Sequence, residues 1–170
     1  MPCDITAGRD KACKQGLGGL GKLYLFNFVE NPFTVTAGVA TAINPLLTTV
    51  FEYELEGDGN NVAESLVSDR NSGTSLNTQT LTVVLKKIDA VTSAEMNLLA
   101  YGFPMAVVKD RNGIFHAIGT DDGIDFTVVQ STGGAKGDLN GYTLTGVSTT
   151  GALSPKLDAT TVTAFLALLP

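Results

Sequence analysis

The chain has 170 residues, 16 % of them charged, and a formal net charge of −6. That length suits one domain of the usual ~100–200 residues, and a compact monomer of 17.7 kDa exposes about 8,000 Å². With 44 % hydrophobic residues the chain is too apolar to be intrinsically disordered. Its apolar stretches, such as residues 37–43, fall far short of the ~20 residues of a membrane helix. The acidic balance argues against a surface that tracks phosphates, because nucleic-acid affinity rests on Lys and Arg.

The charged fraction lies well below the ~25 % usual for soluble domains. Either neighbouring subunits cover part of the surface, or Thr and Ser hydroxyls do the solvating. The N-terminus lacks the apolar core of a signal peptide, so a cytoplasmic origin is expected. Cys3 and Cys13 could close a small loop, although a reducing compartment disfavours it. Without C-x₂-C spacing, and with His116 as the only histidine, no structural metal is expected.

In chain order, residues 1–21 are polar and Gly-rich and read as an extended arm; residues 22–170 form the domain. Residues 22–29 are dense in aromatic and β-branched types, a strand signal. Residues 33–40 read as a second strand with Gly38 near its end, between turns at Asn31-Pro32 and Asn44-Pro45. Residues 49–56 alternate, which places Glu52, Glu54 and Glu56 on one face and Phe51, Tyr53 and Leu55 on the other. The polar segment 57–77 is expected to form a long hairpin with Leu66 and Val67 near its tip, leading into a strand over 78–87. A helix over about 92–101 is predicted within residues 89–102. Its start is Thr92 with Glu95 as a capping box, its buried face is Met96, Leu99 and Ala100 with Leu98 and Tyr101 beside it, and Gly102 is its left-handed stop. Asp110-Arg111-Asn112-Gly113 is a hairpin turn between strands at 105–109 and 114–118. Strands follow at 125–130 and 142–148. Residues 158–169 fit either a helix capped by Asp158 or a strand. The sum is a β-dominated α+β fold, an antiparallel sandwich or barrel with one flanking helix.

Motifs for chemistry are sparse. Gly16-Leu17-Gly18-Gly19-Leu20-Gly21 matches G-x-G-x-x-G literally, but a polar arm precedes it and a strand follows, the reverse of the dinucleotide arrangement; it reads as a hinge. His116 lies within a strand, where a half-buried structural histidine is the plainer reading. No G-x-S-x-G elbow surrounds any serine. The acidic runs at Asp58 and at Asp121-Asp122 lack EF-hand spacing. No catalytic residue, cofactor or metal is assigned, and the chain is not read as an enzyme.

Three segments carry a resemblance: residues 96–101 (Met-Asn-Leu-Leu-Ala-Tyr), 107–115 (Val-Val-Lys-Asp-Arg-Asn-Gly-Ile-Phe) and 137–145 (Gly-Asp-Leu-Asn-Gly-Tyr-Thr-Leu-Thr). With the opening Cys3-Asp4-Ile5-Thr6, Cys13-Lys14 and Gly18-Gly19-Leu20, they resemble structural proteins of tailed-bacteriophage virions, most of all tail tube proteins. The resemblance implies subunits that form hexameric rings, stacked into a tube through a long hairpin and a terminal arm. The partners implied are further copies of the chain and other virion proteins, and the location is the virion tail after assembly in the host cytoplasm. By analogy, Leu66 and Val67 in the hairpin and Leu17 and Leu20 in the arm become candidate inter-subunit contacts. Glu52, Glu54 and Glu56 become candidates for an acidic lumen that passes DNA without holding it. The competing expectations are a capsid decoration or connector protein, and a cytoplasmic enzyme or ligand-binding domain around His116.

Overall fold

The computed structural model describes residues 4–170, so Cys3, and with it any pairing to Cys13, lies outside the described residues. Eleven strands and two helices follow one another: β1 Leu20–Phe26, β2 Phe33–Thr36, β3 Val39–Ile43, β4 Phe51–Glu54, β5 Asn61–Asp69, β6 Thr74–Lys86, α1 Ala90–Tyr101, β7 Met105–Asp110, β8 Phe115–Ile118, β9 Asp125–Ser131, β10 Gly141–Thr150, β11 Lys156–Leu157 and α2 Ala159–Leu166. They build a seven-stranded sheet, β2-β3-β11-β8-β7-β1-β4, and a four-stranded sheet, β5-β6-β10-β9. Neither sheet closes into a barrel. β2, β4, β5 and β9 are therefore edge strands.

The larger sheet is apolar on both faces, which explains the near-continuous hydrophobic runs of β1 and β7. Alternate residues serve two cores. Leu23 and Leu25 of β1, with Ala106 and Val108 of β7, face the smaller sheet and meet Leu81, Val83, Tyr142 and Leu144, with Met96 and Leu99 of α1. Tyr24 and Phe26, with Met105 and Val107, face the other way, onto a layer closed by Phe165 of α2. Phe165 makes edge or tilted ring contacts with Tyr24, Phe26 and Phe33 at centroid distances of 5.6–6.1 Å, a geometry that aromatic quadrupoles favour.

Several sequence expectations are corrected. The first strand begins at Leu20, two residues before the start expected at residue 22. Residues 33–40 do not form one strand. Ala37 and Gly38 both take positive φ (51° and 78°) and make the two-residue turn that favours a hairpin, β2–β3. There are two flanking helices, since residues 158–169 resolve to α2, with Asp158 accepting from the Thr161 backbone N–H at 2.7 Å. The N-cap of α1 is Asp89, not Thr92: its carboxylate accepts from the Thr92 N–H at 2.8 Å and from the Thr92 hydroxyl at 2.6 Å. Asp outcompetes Thr at this position because it offers two charged acceptor oxygens to the unpaired first-turn donors. Gly102 is extended (φ −97°, ψ −175°) rather than left-handed, as the chain runs directly into Phe103-Pro104 and on to β7. Ala100 is exposed, leaving Met96 and Leu99 as the buried face.

Candidate assembly surfaces and the polar pocket

The arm leaves the domain beside the β7–β8 turn. The Asn112 side chain accepts from the Leu17 N–H at 2.8 Å and donates to the Leu17 carbonyl at 2.9 Å, as a neighbouring strand would. The Arg111 N–H donates to the Gly19 carbonyl at 3.2 Å. Before this anchor, residues 4–16 are exposed throughout. Leu17 is open to solvent, as expected of a contact residue, but Leu20 is 5 % exposed and belongs to the core. It is the first residue of β1, and as an inter-subunit contact it is withdrawn.

The segment 57–77 contains the expected hairpin. β5 pairs with β6 from Asn61↔Thr82 to Asp69↔Thr74, and Asp69 organises the turn by accepting from Asn71 N–H (2.8 Å) and the Ser72 hydroxyl (3.1 Å). β10 accompanies β6 only as far as Asn77, so the last three cross-strand pairs form a two-stranded ribbon with no third strand beside it. Leu66 (46 %), Val67 (62 %) and Leu76 (52 %) are exposed there. Val67 and Leu76 are directly paired and share a face.

The acidic row is less uniform than its alternation suggests. Lys22, opposite Glu54 on β1, reaches Glu52 at 2.8 Å and Glu54 at 3.8 Å. Its hydrogen bond holds the Glu52 carboxyl below the usual range, against the opposing effect of burial. Burial, then Glu52, pushes the Tyr24 hydroxyl up. Glu56 lies past the end of β4 and approaches Lys86 of the other sheet at 3.7 Å. Phe51, expected on the apolar face, is 48 % exposed because β4 is an edge strand and Val50 fills the core position instead.

Two features escaped the sequence reading. The first is Glu64 on β5. Its Oε2 accepts from the Ser154 N–H (2.8 Å), Asn77 Nδ2 (2.8 Å) and Gln79 Nε2 (3.3 Å), and its Oε1 from the Ser154 hydroxyl. Burial raises its pKa, but these donors outweigh burial and hold the carboxyl below its ordinary value. Ser154 also meets Lys156 Nζ at 3.1 Å. Glu64, Lys156 and His116 line a pocket of about 290 Å³ under the arm. His116 Nε2 lies 3.3 Å from Asp110 Oδ2, while Asp110 Oδ1 accepts from the Asn112 and Ile114 N–H groups. The Ser154 hydroxyl is buried and spent on Glu64, so the cluster ties the hairpin to the C-terminal segment.

The second is an apolar groove of about 530 Å³ between α1, the C-terminal end of β1 and the β4 edge. Leu98 and Phe103 (65 % and 61 % exposed) stand on one side, Phe28 and Phe51 (both 48 %) on the other, and Glu95 and Asp122 lie at its rim. The sequence signal was present: Leu98 and Tyr101 extend the apolar face of α1 beyond what one core can bury.

Among the described residues no group of three or more His, Cys, Asp and Glu is arranged to hold a metal, and no helix is long and apolar enough to cross a membrane. Comparison with protein-family models, with characterised proteins and with solved structures finds no match.

Proposed function

We propose that this chain is a self-assembling structural subunit of a phage tail tube, its copies forming stacked hexameric rings around a channel that conducts DNA. The observation that carries this reading is the surface. The folded chain exposes 10661 Å², about a third more than the ~8,000 Å² of a compact monomer of its mass. The excess is structured rather than random. It comes as an arm of exposed residues, a β-ribbon with apolar side chains on it, and an apolar groove. Four edge strands add unpaired backbone groups, which in an isolated subunit are sites for pairing with other chains.

Ring formation through sheet edges needs little side-chain specificity, because main-chain hydrogen bonds supply the contact. Stacking through two different patches does not close on itself and extends into a filament. Glu54 and Glu56, with side chains 78 % and 79 % exposed, are the acidic groups available to repel DNA from a channel wall; Glu52 is committed to Lys22. Other virion proteins would meet the ends of such a tube.

Negative-stain electron microscopy with light scattering on the same sample tests the reading. Rings or hollow tubes of uniform diameter are the expected result. A monodisperse monomer overturns it and moves capsid decoration or a connector role to the front.

A further inference from the structure

The groove beside α1 and the arm occupy opposite poles of one strand. The arm enters β1 at Leu20, where Asn112 grips Leu17. The groove opens at Leu25 and Phe28, at the strand's other end, about 20 Å away at the usual strand rise. Copies arranged head to tail in one orientation therefore bring the arm of one to the groove of the next.

The chemistry of the two surfaces is complementary. The groove has an aromatic and aliphatic floor, Glu95 and Asp122 at its rim, and no Lys or Arg in its lining. In a chain of net charge −6, residues 4–19 contain three cations, Arg9, Lys11 and Lys14, against Asp4 and Asp10. None of those three cations has an ion-pair partner among the described residues. Ile5 is 94 % exposed and is the large apolar side chain among the described residues of the arm before the Leu17 anchor. Clustered aromatic residues around a pocket, ringed by polar groups, are the usual make-up of an interface centre.

We propose that the groove receives the N-terminal arm of a second copy of this chain, with Ile5 on its floor and Arg9, Lys11 and Lys14 facing Glu95 and Asp122. This inference rests on the self-assembly reading and names its contact. Because the contact joins two different patches, it propagates from copy to copy.

Charge exchange in the full chain tests it. One variant carries Arg9→Glu, Lys11→Glu and Lys14→Glu; a second carries Glu95→Lys and Asp122→Lys. All five positions are on the surface, and circular dichroism verifies that each variant folds. Each alone is expected to reduce the assembled fraction, read by light scattering, roughly tenfold or more, since like charges then face each other. Mixing the two variants is expected to restore assembly, because the acidic arm of one meets the basic groove of the other. An arm lying in its own groove gives no recovery on mixing, and that result overturns the proposal. Wild-type tubes with both variants assembling normally would overturn the arm contact and leave the tube reading standing. Open head-to-tail oligomers without tubes, lost in each variant and recovered on mixing, would overturn the tube reading and leave the arm contact standing. A wild-type chain that stays monomeric overturns both.

Discussion

Glu64 shows how far one side chain can act along the chain. It joins β5 to Ser154, 90 residues later, and no periodicity in the polar segment around it distinguishes it from a solvated strand carboxylate. What decides its role is a set of donors supplied by β6 and the C-terminal segment, and single-sequence patterns do not encode such distant partners. Glu64→Ala should cost about 2–3 kcal/mol in urea unfolding, because it removes a charged acceptor and leaves Ser154 and Asn77 short of partners. The pH dependence has a definite sign. The folded-state pKa is depressed below the ordinary value of a glutamate, so the stabilisation is fully present above that ordinary value and is lost as pH falls through the folded one. The stability gap between wild type and Glu64→Gln should accordingly narrow as pH falls below the ordinary glutamate range. A gap that stays constant down to pH 2 would mean that the carboxylate's charge contributes nothing. Glu52 makes the complementary point: alternation correctly placed it beside Glu54, but only the β1–β4 register reveals Lys22 as their shared partner.

Elements were more legible than their ends. The β7–β8 hairpin, β9, β10 and the existence of α1 follow from turn residues and period, which are local properties. The cap of α1 did not, because Asp89 and Thr92 are both good cap residues and the choice is made by where Tyr142 and the preceding strand deliver the chain; the Tyr142 hydroxyl donates to the Asp89 carbonyl at 3.0 Å. Asp89→Asn should keep most of the helix's thermal stability, whereas Asp89→Ala should lower the melting temperature, since Asn caps nearly as well as Asp and Ala does not. Gly141 gives a sharper test of the β6–β10 ladder. A Cβ there would lie 2.1 Å from the Leu85 carbonyl oxygen, so Gly141→Ala must push the strands apart. A loss of about 2–3 kcal/mol or more in chemical denaturation is expected, with no comparable loss for Gly137→Ala, where a Cβ meets nothing within 4 Å.

At the scale of the whole molecule, the β-dominated two-sheet class was readable from composition and strand count, but the strand order was not. β1 lies between β4 and β7, and β11 pairs in parallel with β3 across more than a hundred residues; no local signal reports such neighbours. The projecting parts should be separable from folding. Removing residues 1–16 leaves the Asn112–Leu17 anchor in place, and the described residues it deletes, 4–16, are all exposed, so the stability should change by no more than about 0.5 kcal/mol while the assembled mass collapses. Loss of the folded state on this truncation would show that the arm belongs to the domain.

The two-residue strand β11 sets how this sheet comes apart. β2 and β3 reach β8 only through it, along a seam made by the Lys156 and Asp158 N–H groups on Gly38 and Ala40 (3.0 and 3.2 Å) and by the Ala117 N–H on Pro155 (3.0 Å). A seam of so few backbone bonds yields before the long β1–β7 ladder does. Hydrogen exchange should therefore release the amides of β3 and β11 together, as one cooperative opening, while those of β1 and β7 stay protected until global unfolding. Under tension along the chain, the same seam is where the subunit would yield first, and its larger remainder would stay intact.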